Sequence, residues 1–200
     1  MLPDPLGQFA VWLNEALKRA DIVEPNAMML ATVDAECRPS ARMVLLRGLD
    51  ERGLTFYTNY ESRKAGELEQ KPDAALVFYW GALHRQVRIE GSVTRVDSAE
   101  SDAYFATRPR GHQLGAWASP QSRPVTDRAT LDAALAAAQT RFADSDGVER
   151  PPHWGGYRLA PRRFEFWQGR LNRMHDRISY ERADTVTLGG STWKISRLAP

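Results

Sequence analysis

Phe164-Glu165-Phe166-Trp167-Gln168-Gly169-Arg170-Leu171-Asn172-Arg173-Met174-His175-Asp176-Arg177 reads as two extended segments meeting at a turn. Strand side chains alternate between faces, so this reading projects Arg173, His175 and Arg177 together from one side. Three polar, mostly cationic groups in a row call for an anion or a carboxylate, and Trp167 places a large flat N–H donor beside them. That composition suits a planar, anionic small molecule. It also suits an edge strand whose charges face water and discourage aggregation. Taken alone, the stretch favours the second.

Strands surround it. Upstream, 156–159 and 163–168 read as extended, and downstream 174–181, 185–188 and 192–197 do, the last two joined through Gly189-Gly190, a hairpin signal. At the chain start Asp4-Pro5 offers a helix cap with proline in the first turn, and Leu6, Phe9, Leu13, Leu17 and Ala20 follow at helical spacing. Short apolar runs at 28–33, 42–47 and 54–58, separated by turn residues, predict three antiparallel strands joined by hairpins. A short helix over 62–70 precedes strands at 74–79 and 85–96, the second long enough to bend across a barrel. Ser98 caps a predicted helix that Pro109 stops. Residues 108–126 read as a long, loop-rich and hence functional stretch, and 127–142, rich in Ala and Leu, as a helix. The sum is one α+β domain over residues 1–200, mainly an antiparallel β-barrel with helices around it.

Composition narrows the partners. The 27 Lys+Arg nearly balance 25 Asp+Glu, for a formal charge of +2, so the chain carries no nucleic-acid footprint. Cys37 is the single cysteine, and no apolar run is long enough for a signal peptide core or a membrane span; a cytoplasmic protein is expected. His84, His112, His153 and His175 show no metal-ligand spacing, and no metal is expected.

Three constellations carry chemistry. In Arg42-Met43-Val44-Leu45-Leu46-Arg47 a flat strand would put the two arginines on opposite faces, and a core strand with basic ends is the plainer reading. Tyr57-Thr58-Asn59 leads into Ser62-Arg63-Lys64, where two cations occupy a helix start whose dipole repels them. Free amides plus Arg and Lys make a phosphate cradle, and that reading leads here. Tyr104 and Arg108 share a helix face near Arg110 and His112, which fits a phosphate-ester grip or an arginine lying over an aromatic ring. Cys37 lies in a predicted turn, and no nucleophilic triad emerges.

Taken together, these motifs resemble the pyridoxine/pyridoxamine 5′-phosphate oxidase family. The likeness runs from Pro3-Asp4-Pro5-Leu6 to the closing Trp193-Lys194-Ile195-Ser196-Arg197-Leu198-Ala199-Pro200, through Arg108-Pro109-Arg110, Gly115-Ala116-Trp117, Gln121-Ser122 and Phe166-Trp167-Gln168-Gly169. The resemblance implies an FMN-binding split-barrel homodimer with the flavin at its interface. It implies that Arg42, Met43, Val44, Leu45, Leu46 and Arg47 run along the flavin, that Arg63 and Lys64 hold its phosphate, and that Tyr57, Thr58, Gln86, Gln121, Ser122, Trp167 and Arg177 contact it further, some from the second subunit. The substrate phosphate is then held at Arg47, Tyr104, Arg108 and His112. Arg173, Met174 and His175 bind the substrate, with Arg173 and His175, the catalytic pair, over the pyridine ring.

The implied reaction oxidises pyridoxine or pyridoxamine 5′-phosphate to pyridoxal 5′-phosphate and reduces dioxygen to peroxide. The family usually has Lys at Arg47, a small hydroxyl residue at His112 and glycine at Arg170. The replacements at Arg47 and His112 keep open a related split-barrel oxidase acting on another anionic ring. A non-catalytic flavin or pyridoxal phosphate binding module is the rival from a different class.

Overall fold

The structure, a computed structural model, describes residues 1–183 and 193–200. In chain order its elements are α1 (Pro5–Leu17), β1 (Ala27–Val33), β2 (Pro39–Leu45), β3 (Gly48–Asp50), β4 (Gly53–Asn59), α2 (Arg63–Gln70), β5 (Asp73–Trp80), β6 (Arg85–Arg95), α3 (Ser98–Ala106), α4 (Arg110–Ala118), α5 (Arg128–Arg141), β7 (Trp154–Gln168), β8 (Asp176–Arg182) and β9 (Trp193–Leu198). Every strand pair is antiparallel. The expected strand 185–188 and the Gly189-Gly190 turn lie outside the described residues.

The sheet runs β2-β1-β5-β6-β7-β4-β3, with β8 and β9 added beyond β7. Only two residues separate the end of β2 from the start of β3, yet these strands stand at opposite ends of the path. The sheet must therefore curl until its ends meet. Two amides make the junction: Leu46 N–H donates to the Asn26 carbonyl at 2.9 Å, and Arg47 N–H to the Thr55 carbonyl at 2.8 Å. This corrects the expected three-stranded meander, because β4 pairs with β7 rather than β2. It also ends the strand expected over 42–47 at Leu45.

β7 is one continuous strand where two were expected. β6 follows one of its edges, while β4 takes the first half of the other and β8 the second. Pro161 lies between the two expected strands, and the sheet absorbs it with a register shift at Glu90/Gly91, where a Cβ on Gly91 would stand 2.1 Å from the Ala160 carbonyl oxygen.

The core fills the inside of the curl. Phe9 of α1 packs on Phe78 at 4.8 Å between ring centroids, and Trp12 meets Phe166 edge-on at 5.2 Å. These two rings, with Ala16, turn α1 slightly from the expected stripe, and Leu17 is left exposed. Phe166 also meets Tyr180 edge-on at 5.5 Å. Replacing Phe166 with alanine is expected to cost roughly 3–5 kcal/mol, read as a lower urea midpoint at fixed protein concentration.

A second apolar cluster of Phe105, Leu114, Ala138, Phe142, Val148 and Trp154 seats α3, α4 and α5 against the start of β7. α4 occupies part of the stretch expected to be a loop. Pro109 and the glycines at 111 and 115 hid it, but Pro109 stands at the N-cap, where its missing N–H costs nothing, and the buried Leu114 pays for the rest. Asp97, not Ser98, caps α3. No helix among the described residues is long and apolar enough to cross a membrane.

Candidate active site

Where the sheet ends meet, a cavity of about 750 Å³ opens between β2, β4, the start of α2 and the α3–α4 corner. It is lined by Arg42, Met43, Val44, Leu45, Arg47, Tyr57, Thr58, Lys64, Tyr104, Arg108, His112 and Gln121, among others. Arg42 and Arg47 thus face one hollow, against the opposite faces expected of a flat strand, because the chain leaves β2 between them.

One set of cations surrounds Lys64. Its ammonium donates to Gln121 Oε1 at 2.8 Å, Thr58 Oγ1 at 3.1 Å and Ser62 Oγ at 3.3 Å. All three acceptors are neutral, and among the described residues no carboxylate pairs with it. Burial, with Arg42 adding to it, brings Lys64 down to about 8. Arg42 donates to Glu67 Oε2 at 3.0 Å, and Arg63 Nε to Glu67 Oε1 at 2.8 Å. Arg63 is mostly exposed and lies outside the cavity lining.

A second set surrounds Arg108, whose guanidinium lies 4.5 Å from the Trp154 ring centroid. Its Nη1 is buried with no hydrogen-bond partner among the described residues, and burial followed by the nearby Arg47 charge lowers its pKa. A buried donor left unmatched is costly and marks a place for an anion. Tyr104 stacks on Tyr57 at 4.0 Å, and Tyr57 on Trp154 at 5.3 Å. Burial pushes the Tyr57 phenol up to about 12, so it stays a donor. Phosphate-bearing ligands fit both sets, since each offers cations that no carboxylate at the cavity wall fully matches.

The other expected residues lie elsewhere on the chain. Gln86, Trp167 and Arg177 stand directly opposite one another on β6, β7 and β8, on the sheet face that also carries Met29 and Tyr79. Arg177 binds buried Glu165 through two bonds of 2.8 and 3.1 Å and donates to the Ala199 carbonyl. Arg173 and His175 are not strand residues sharing a face with Arg177, as alternation suggested. Leu171–Arg173 forms a tight 3-10 turn with Asn172 and Arg173 at positive φ, and β8 begins only at Asp176. His175 Nδ1 accepts the Arg170 N–H at 3.1 Å while its ring lies 4.6 Å from Trp167. None of Gln86, Ser122, Trp167, Arg173, Met174, His175 or Arg177 lines the cavity.

Sequence reading missed the two buried carboxylates, Glu67 and Glu165. The available signal for Glu67 was its place beside Leu68 on the inner side of α2. Glu165, between two phenylalanines, offered no such signal.

The family model described as pyridoxamine 5′-phosphate oxidase matches residues 13–142, and that described as pyridoxine 5′-phosphate oxidase C-terminal dimerisation region matches residues 154–200. A pyridoxine/pyridoxamine 5′-phosphate oxidase from Rubrobacter xylanophilus is 57% identical over 198 residues, covering 99% of this chain and 88% of that protein. One from Cyanothece sp. is 54% identical, covering 99% and 89%. Among solved structures, PhzG from Burkholderia lata, in complex with tetrahydrophenazine-1-carboxylic acid, superposes with a TM-score of 0.89 at 33% identity, covering 100% of this chain and 94% of that one. A pyridoxamine 5′-phosphate oxidase-related, FMN binding protein from Nostoc punctiforme shares the fold with a TM-score of 0.77 at 21% identity, covering all of both chains.

Proposed function

The chain belongs to the pyridoxamine 5′-phosphate oxidase family, and on that premise we propose that it binds FMN and oxidises pyridoxine or pyridoxamine 5′-phosphate to pyridoxal 5′-phosphate, with dioxygen as acceptor. The observation that carries this reading is one cavity with two cationic sets, around Lys64 and around Arg108, that share no hydrogen-bond partner. Two phosphorylated molecules need two such places.

Lys64, Arg42 and Arg63 hold the flavin phosphate, with Thr58 and Gln121 turning towards it as Lys64 does. The β2 segment from Arg42 to Leu45, together with Leu46, runs along the flavin, and Tyr57 and Ser122 contact it. Arg47, Tyr104, Arg108 and His112 hold the substrate phosphate. FMN, when bound, supplies the two-electron acceptor that no side chain provides. Oxidation at the C4′ carbon removes two electrons and two protons, which end on dioxygen as hydrogen peroxide. The amine substrate also takes up water and releases ammonia.

A homodimer completes the site. Met29, Met43 and Tyr79 leave an exposed apolar face on the sheet, and the row Gln86, Trp167, Arg177 continues it. A second copy packed on that face brings its own row, with Arg173, Met174 and His175, to the first copy's cavity. Because His175 Nδ1 accepts an amide proton, the neutral ring carries its proton on Nε2 and meets the substrate as a donor. His175 and Arg173 therefore orient the pyridine ring.

The experiment is a substrate panel on FMN-loaded protein. Aldehyde and peroxide in equal amounts from the two phosphorylated vitamers are expected. Peroxide released only with a phenazine-type carboxylate would replace this reading with that of another anionic-ring oxidase.

A further inference from the structure

We propose that Glu67 is a positioning residue for the flavin phosphate: it fixes Arg42 at the cavity wall, anchors Arg63 at the helix start, and leaves the three cations there with two net positive charges. This rests on the FMN reading above and assigns a role to a residue that would not touch the flavin.

Glu67 is buried on the inner side of α2, beside Ala65 and Leu68. A carboxylate is costly there, and an apolar residue would serve packing better. It is instead surrounded by donors from three elements. Thr32 Oγ1 of β1 donates to Oε2 at 2.5 Å, and Ser40 Oγ of β2 lies 2.8 Å from both oxygens. Arg42 of β2 and Arg63 of α2 supply the charged bonds. Burial alone would raise the carboxyl, but the bonds from Thr32, Ser40, Arg63 and Arg42 outweigh it and bring Glu67 to about 2.

The arginine side of the pairing is equally complete. Arg42 donates to Thr32 Oγ1, to Ser40 Oγ at 2.5 Å and to the Leu30 carbonyl at 3.3 Å as well as to Glu67. A strand arginine bound on so many sides cannot swing away when the cavity is empty, so its position is set before any ligand arrives.

The charge balance follows from the same contacts. Arg42, Arg63 and Lys64 bring three positive charges and Glu67 removes one, which leaves the charge that a phosphate monoester dianion neutralises. The groups facing Lys64 that matter are Arg42, which disfavours its proton, and Glu67, which favours it. Without Glu67 the lysine would sit beside two uncompensated arginines.

The test compares wild type with Glu67→Gln, which keeps the size, removes the charge and exchanges one acceptor oxygen for an NH2 donor. FMN and riboflavin titrations, read by flavin fluorescence quenching from pH 7 to 10, separate the phosphate from the ring. In wild type the FMN affinity should fall about tenfold per pH unit above about 8. In Glu67→Gln that decline should begin about one pH unit lower, with FMN bound ~10- to 100-fold more weakly at pH 8 and riboflavin changed less than about threefold. Glu67→Asp, which restores the charge, should move the decline back towards wild type. In the apo protein, the pH dependence of Lys64 acylation, read by peptide mass spectrometry, should shift down in Glu67→Gln by the same amount. An unmoved decline with FMN and riboflavin weakened equally would overturn the inference and leave the FMN reading intact. Wild type that quenches no flavin at any pH, while Lys64 acylation still shifts, would overturn the FMN reading and the phosphate role together.

Discussion

Arg108→Met should lower kcat/KM for pyridoxine 5′-phosphate by roughly 100- to 1,000-fold while FMN binding stays near wild type. Arg108 is the one cation at the cavity wall with a buried N–H that finds no acceptor among the described residues. A substrate phosphate would fill that vacancy, and removing one partner of a buried charged contact costs about 2–5 kcal/mol. Methionine keeps an unbranched stem over Trp154, where the guanidinium now lies at 4.5 Å. Fold stability should not suffer, since burial already disfavours the charge and lowers the Arg108 pKa. The loss should fall on KM more than on kcat if phosphate contact is equal in ground and transition states. Steady-state kinetics beside a flavin titration on the same preparation checks both halves.

The next largest effect belongs to Lys64→Met, expected to weaken FMN about 100-fold at pH 7.5 and to flatten the alkaline decline. Among the described residues the ammonium has hydroxyl and amide partners but no carboxylate, and its pKa falls to about 8. The sign follows from linkage. Between pH 8 and the ordinary lysine value the unfolded chain binds more protons, so the apo protein gains stability as pH rises through that window. A bound phosphate dianion reverses this by favouring the charged form. FMN binding near pH 8.5 should therefore take up a proton in wild type and not in Lys64→Met, which calorimetry in buffers of different ionisation enthalpy measures.

Local signals in the sequence went far with the fold. Asp4 and Pro5 start α1 as cap and first residue, and the β1–β2 hairpin falls where the turn residues put it. What stayed hidden depends on distant partners. Nothing near 54–58 says that β4 pairs with β7 almost a hundred residues later, and a helix opening Pro109-Arg110-Gly111 reads as loop until Leu114 finds the Phe105–Trp154 cluster.

The site divides the same way. Lys64 beside Arg63 broke the dipole rule, and of the two only Lys64 lines the cavity, with Arg63 mostly exposed beside it. Tyr104 and Arg108 share a wall as their four-residue spacing suggested. Strand alternation failed for Arg173 and His175, because the Asn172–Arg173 turn at positive φ resets the register before β8. Glu67 was invisible as chemistry, since its meaning lies in Thr32, Ser40 and Arg42 from two other strands. The family resemblance, not periodicity, assigned Gln86 and Trp167 to the flavin, and the structure puts their row on the outer sheet face, away from the cavity.

The most direct measurement is anaerobic: pyridoxamine 5′-phosphate is mixed with the FMN-loaded protein while the flavin's visible absorbance is followed. The account predicts bleaching with one equivalent of pyridoxal 5′-phosphate formed per flavin, and colour restored on admitting air. A flavin that is bound yet stays oxidised with both phosphorylated vitamers would contradict it.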